Sequence, residues 1–103
     1  MNSVIKSKFR ELADLCVMRR VQRLILFGSA AGDNFDPATS DLDLLVEFQP
    51  MTPAQHADNY FGLMEDLREL FGIEIDLLDP GPIRNPYFKQ AIEQTQVVLY
   101  GAA

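Results

Sequence analysis

The chain has 103 residues, 48% of them hydrophobic, which is enough for one small domain with a single core. Its net charge of -6 and the lack of any Lys or Arg cluster argue against a polymerase that tracks long DNA or RNA. The single cysteine, Cys16, excludes an intrachain disulfide. No apolar run approaches the ~20 residues of a membrane span, so we expect a soluble, cytoplasmic protein.

The chain opens with a predicted helix and a predicted strand. Apolar residues recur at helical spacing over about 3–19, which indicates an amphipathic helix with Cys16 on its apolar face. Val21–Phe27 combines alternation with a closing apolar run and is predicted to be a strand. Residues 30–40 (AAGDNFDPATS) have the composition of a loop.

Segment 41–48 (DLDLLVEF) is the most informative part of the chain. Its alternation predicts a strand on which Asp41 and Asp43 share one face, while Leu42 and Leu44 share the other. Two carboxylates are therefore expected to point the same way.

A long helix is predicted next, with Thr52 as its N-cap, Gln55 completing a capping box and Gly72 ending it. Segment 73–78 (IEIDLL) is predicted to be a second short strand, and 85–94 a further helix. Residues 97–100 form either an edge strand or a packed tail. This order indicates an α/β fold of the α+β kind, in which helices flank a small mixed β-sheet, and a single domain over 1–103.

Gly28 and Ser29 follow the first strand directly. Glycine lets a backbone approach a ligand closely, and successive amides with a serine hydroxyl can hold phosphate oxygens. Most Gly-Ser pairs are ordinary turns, so this pair alone is weak evidence for a phosphate site. It is not a P-loop, because no Gly-Lys-Ser or Gly-Lys-Thr follows.

Three aspartates form the candidate metal site. Asp41 and Asp43 would repel each other unless a cation lies between them, although both could also be solvated at the start of a strand. Asp76 stands within an apolar strand, where an unpaired carboxylate is costly, and Glu74 on the same face is the competing candidate. Oxygen ligands suit Mg²⁺, and three carboxylates beside a phosphate-binding turn predict a two-metal site.

These residues carry a resemblance to a known family. The run Phe27-Gly28-Ser29, followed about a dozen residues later by Asp41-Leu42-Asp43, resembles the signature of polymerase-beta-like nucleotidyltransferases. The length and the ending IRNPYFKQAIEQTQVVLY are similar to the minimal nucleotidyltransferases encoded beside a HEPN-domain protein.

The resemblance implies a role for each motif residue. Gly28 and Ser29 would bind the triphosphate, Asp41 and Asp43 would ligate both Mg²⁺ ions, and Asp76 would ligate the catalytic metal and help to orient or deprotonate the acceptor hydroxyl. The implied reaction transfers a nucleoside monophosphate, AMP from ATP, to a hydroxyl. The implied partner is a HEPN toxin, which the minimal transferase modifies on a tyrosine as its antitoxin.

Two alternatives stay open beside this interpretation. Many family members have Gly-Ser-x-Ala-Arg-Gly, whereas this chain reads GSAAGD from residue 28 and lacks that arginine. The difference favours a binding-only antitoxin or regulatory subunit that keeps the fold with catalysis weak or lost. A transferase acting on a small molecule is the other alternative, although such acceptors need a concave pocket that so short a chain is not expected to form.

Overall fold

The computed structural model describes residues 3–27, 41–79, 90 and 97–101. Its elements, in chain order, are α1 (Ser3–Lys6), α2 (Phe9–Met18), β1 (Val21–Phe27), β2 (Leu42–Phe48), α3 (Pro53–Phe71), β3 (Ile75–Leu78) and β4 (Val97–Tyr100). The loop predicted over 30–40 lies outside the described residues, as does the helix predicted over 85–94 apart from Gln90, which is helical. Within the described part of the chain, no helix combines the length and apolarity needed to cross a membrane.

The prediction of one continuous N-terminal helix was wrong, because α1 ends at Lys6 and α2 starts at Phe9. The Lys8 amide donates to the Ile5 carbonyl at 3.1 Å, which closes a turn between the two helices. Ile5 before the turn and Leu12 after it are both buried in the same core. Apolar spacing is therefore similar with or without the turn, and it could not reveal the break.

The four strands form one mixed sheet in the order β3-β2-β1-β4. β1 pairs antiparallel with both β2 and β4, whereas β2 pairs parallel with β3. The predicted α/β fold with a small mixed sheet is confirmed, and of the two alternatives for 97–100 the edge strand is correct.

One face of the sheet carries most of the core, and a smaller buried cluster of Ile25 and Leu45 lies on the other face. Alternate residues of the strands, together with the apolar faces of the helices, form the larger cluster, which comprises Ile5, Leu12, Cys16, Val21, Leu24, Leu26, Leu42, Leu44, Val46, Leu63, Leu67, Phe71, Ile75 and Leu77. Burial of this kind contributes roughly 25 cal/mol per Å² of apolar surface, so the cluster is the main stabilising term of the fold. The intervening residues of each strand point to the opposite face.

Helix α3 is capped at both ends as its sequence predicts. The Thr52 hydroxyl accepts from the Gln55 amide, and the Gln55 side chain accepts from the Thr52 amide. At the other end Gly72 adopts a left-handed conformation with φ 67°, and its amide donates to the Arg68 carbonyl. Caps of this kind contribute about 1 kcal/mol each, and they hold the helix ends at fixed positions beside the sheet.

Candidate active site

Two of the three aspartates lie side by side. Asp43 on β2 and Asp76 on β3 are directly opposed in the parallel register, with Leu42 opposite Ile75 on one side and Leu44 opposite Leu77 on the other. Opposed residues of neighbouring strands point to the same face of a sheet. The fold therefore brings together carboxylates that are 33 positions apart in sequence, on the face opposite the one that packs against α2 and α3.

Asp41 precedes β2 and is exposed to solvent. The next residue, Leu42, donates its amide to the Glu74 carbonyl at 3.0 Å, so the pairing of the two parallel strands begins here. Asp41 is close enough for its negative charge to act on Asp43. The three aspartates thus share one end of the β2–β3 pair.

The pKa of Asp43 responds to the charges of the other two aspartates. Burial raises the pKa of the Asp43 carboxyl, and the negative charges of Asp76 and Asp41 raise it further. Like charges disfavour the ionised form, and a cation between them would reverse this effect. The site is thus one in which the protein holds acidic groups against their mutual repulsion.

Gly28 and Ser29 lie outside the described residues. The structure does place the residue before them, because Phe27 at the end of β1 is directly opposed to Asp43 on β2. The chain accordingly leaves β1 next to the aspartates.

The donor set fits a hard divalent cation such as Mg²⁺, which takes carboxylate oxygens together with water and substrate phosphates. Over 3–27, 41–79 and 97–101, no three His, Cys, Asp or Glu side chains are gathered tightly enough to form a ready-made metal site. Strands β2 and β3 set Asp43 opposite Asp76, and Asp41 comes directly before β2. A site of this kind needs phosphate oxygens and water to complete the coordination of its metal.

Glu74, the competing candidate, forms an ion pair with Arg68. It lies before β3, and its carboxylate accepts from Arg68 of α3 at 3.1 Å on the exposed surface. Asp76, by contrast, stands on the strand opposite Asp43. Position in the sheet therefore favours Asp76 over Glu74 as the third carboxylate.

Sequence reasoning missed a polar cluster where α3 meets β3. The His56 ring contacts the Asp79 carboxylate and lies edge-on to Phe48, with ring centroids 5.2 Å apart. His56 and Asp79 also line an open cleft of about 470 Å³. No local sequence signal indicates the contact, because the partner of His56 stands 23 positions later.

Tyr60 belongs to the same region. Its hydroxyl donates to the backbone carbonyl of Leu77 at 2.6 Å. Burial raises the pKa of Tyr60, and the carboxylates of Asp79 and Asp76 raise it further, so the hydroxyl keeps its proton and acts as a donor. No sequence pattern identifies such a contact, because its acceptor is main chain.

Comparison with known proteins agrees with this geometry. The family model described as "Nucleotidyltransferase domain" matches residues 5–99. A protein of Methanocaldococcus jannaschii named "Putative protein adenylyltransferase MJ0128" is 41% identical over 80 residues, which cover 78% of each chain.

Solved structures agree as well. One described as "Structure of putative minimal nucleotidyltransferase" is 25% identical, with a TM-score of 0.63 and 89% of each chain covered. A toxin–antitoxin crystal structure with AMP-PNP shares the fold, with a TM-score of 0.67 at 18% identity, over 91% of this chain and 73% of that one. The chain therefore belongs to the nucleotidyltransferase domain family, and it is a nucleotidyltransferase.

Proposed function

We propose that the chain transfers AMP from ATP to a hydroxyl group on a partner protein, with two Mg²⁺ ions held by Asp41, Asp43 and Asp76. The observation that carries this proposal is the parallel register that sets Asp76 opposite Asp43. Residues 1–103 would act as one domain, which is supported by a core cluster that takes residues from every element between α1 and β3 and contacts β4.

Each residue has a defined task in this proposal. Gly28 and Ser29 would hold the triphosphate, Asp41 and Asp43 would ligate the two Mg²⁺ ions, and Asp76 would ligate the catalytic ion and accept the proton of the acceptor hydroxyl. The acceptor oxygen attacks the α-phosphorus, a new P–O bond forms, and the bond to the β-phosphate oxygen breaks to release pyrophosphate. Bound Mg²⁺ supplies positive charge to the attacking oxygen and to the leaving group.

A protein acceptor is supported by the chain's relatives. The Methanocaldococcus jannaschii relative is named as a protein adenylyltransferase, and structures that share the fold come from toxin–antitoxin complexes. We infer that the acceptor is a HEPN-domain toxin in the cytoplasm and that this chain is the antitoxin. The net charge of -6 fits a protein acceptor better than a long nucleic acid.

A binding-only antitoxin is the second candidate. The sequence that follows Ser29 lacks the arginine found near the phosphates in many family members, and this would weaken triphosphate binding. In that case the chain would neutralise its partner by covering it rather than by modifying it.

Labelling with α-³²P-ATP separates the two candidates. The chain is incubated with Mg²⁺, the labelled nucleotide and the protein encoded beside it, and the label on the partner is measured. A double variant, Asp41→Ala with Asp43→Ala, tests the site. Asp58→Ala, which removes an exposed carboxylate from α3, is the matched control.

We expect label with the native chain and with the control, and none with the double variant. Label that persists in the double variant would overturn the assignment of Asp41 and Asp43. Absence of label from a folded, bound partner would instead favour the binding-only antitoxin.

A further inference from the structure

The Tyr60 hydroxyl of α3 reaches across to β3, the strand that carries Asp76. It donates to the Leu77 carbonyl at 2.6 Å, one residue after Asp76. Tyr60 also packs against the buried core cluster. The contact therefore joins the rigid helix to the peptide unit that follows the third aspartate.

The Leu77 carbonyl faces away from β2, at the outer edge of the sheet formed by the described strands. β3 is an edge strand whose neighbour in the sheet is β2. The Glu74 carbonyl accepts from the Leu42 amide, and carbonyls of a strand point alternately toward and away from their neighbour. The Asp76 carbonyl is therefore turned toward β2 and the Leu77 carbonyl away from it, where the described part of the sheet provides no donor.

β3 is a short strand that pairs with one neighbour in the described sheet and packs Ile75 and Leu77 into the core. It contains four residues, its pairing with β2 is parallel, and parallel pairing is slightly weaker per residue than antiparallel pairing. Repulsion between Asp76 and Asp43 also acts to separate the two strands. A hydrogen bond from α3 to the outer edge opposes this separation, because α3 is capped at both ends and packed on the core.

We propose that Tyr60 is a positioning residue, whose hydroxyl holds β3 so that Asp76 stays level with Asp43 for binding the catalytic metal. The role of Tyr60 in metal binding rests on the proposed function, whereas the restraint of β3 by the Tyr60 hydroxyl does not depend on it. In this proposal Tyr60 acts through the backbone of Leu77 and not by contact with substrate or metal.

Tyr60→Phe removes the hydroxyl and keeps the packed ring. Tyr100→Phe is the matched control, because it makes the same change on β4 at the opposite edge of the sheet. The first measurement is amide hydrogen exchange of Asp76 and Leu78, whose amides alternation turns toward β2, relative to Leu24 and Leu26 on the central strand β1. The second is binding of Mn²⁺ in the presence of AMP-PNP, followed by electron paramagnetic resonance.

We expect Tyr60→Phe to speed exchange at Asp76 and Leu78 by about 3- to 10-fold, as the loss of one hydrogen bond allows, with little change at Leu24 and Leu26. Mn²⁺ affinity should fall by a similar factor. In the labelling reaction kcat should fall, while KM for ATP stays close to that of the native chain. Tyr100→Phe should change none of these quantities selectively.

Three results would overturn the inference. These are unchanged exchange on β3, equal acceleration over the whole sheet, and faster exchange on β3 with unchanged Mn²⁺ affinity. If the native chain with AMP-PNP binds no divalent metal, the proposed function fails and the metal part of this inference fails with it. The exchange data would then still decide whether Tyr60 restrains β3.

Discussion

Asp43 and Asp76 stand directly opposite each other on adjacent parallel strands, with Asp43 half-buried and Asp76 exposed. The main chain holds them there, since β2 is paired on both sides and β3 on one. Like charges opposite each other across a strand pair are destabilising. The fold thus maintains an arrangement that its electrostatics oppose in the absence of a cation.

Asp43→Asn should accordingly stabilise the metal-free protein while abolishing transfer. Removing one charge relieves repulsion from both Asp76 and Asp41, and a gain of a few tenths to about 1 kcal/mol in the free energy of unfolding is expected. Urea denaturation in EDTA measures this gain. A folded Asp43→Asn variant that loses stability, or that keeps full activity, would contradict the proposed site.

With Mg²⁺ and nucleotide bound, the native chain should become more stable than Asp43→Asn. A ligand that binds the folded state raises the midpoint of thermal unfolding by mass action. With Mg²⁺ and AMP-PNP the native chain is expected to gain stability and Asp43→Asn to gain little. Asp58→Asn serves as the charge-matched control and should behave like the native chain.

The difference in the free energy of unfolding between the native chain and Asp43→Asn should depend on pH. The pKa of Asp43 is raised above its ordinary value of 3.8, so the folded state holds this proton more firmly than the unfolded state does. The native chain therefore loses stability as pH rises through that pKa, and Asp43→Asn does not. The advantage of the variant should be small at acid pH and grow toward neutral pH. A difference that is constant with pH would show that Asp43 does not titrate in this way.

Two glycines with positive φ should respond differently to alanine. Gly72 has φ +67° with nothing within 4 Å of an added Cβ, so Gly72→Ala should cost only the ~1–2 kcal/mol of a left-handed alanine. At Gly101, φ is +90° and the Cβ would meet the Gln22 carbonyl oxygen, which is main chain. Gly101→Ala should therefore cost at least ~1 kcal/mol more, unless β4 detaches. Urea denaturation compares the two, and equal losses would contradict the close approach at Gly101.

Arg19 and Gly62 should be coupled. The Arg19 guanidinium lies over Gly62, where a Cβ would stand, and its Nε donates to Asp66 at 2.8 Å. Alanine at a helix interior is ordinarily ~0.5–1 kcal/mol better than glycine, but here it would displace the guanidinium. Gly62→Ala should be close to neutral in the native chain and stabilising when Arg19→Ala is already present. A double-mutant cycle with equal effects in both backgrounds would exclude this coupling.

Local pattern predicted much of the fold. Helix α3 follows from Thr52, Gln55 and Gly72, because capping chemistry acts within one helical turn. Strands β1 and β2 follow from alternating polarity. The sequence pattern did not predict the turn at Ser7 and Lys8, because a core position on each side of the turn preserves the helical spacing.

The sequence indicated which residues form the candidate site, but it indicated less about how they are arranged. Asp41 and Asp43 share a face by alternation alone, and an acid within IEIDLL is conspicuous. That Asp76 stands opposite Asp43 depends on which strands become neighbours and in which register, and this is decided by packing far along the chain. The contacts of Tyr60 with Leu77 and of His56 with Asp79 depend on the same packing, so no local signal indicates them.

Alternation on β3 ties the chemistry of this protein to its folding. Ile75 and Leu77 enter the core because Asp76 between them faces outward. A slip of one residue against β2 would drive the aspartate into the apolar layer and expose two aliphatic side chains to water. Such misregistered molecules are higher in free energy. Asp76, which is suited to hold metal, therefore also disfavours the wrong strand register during folding.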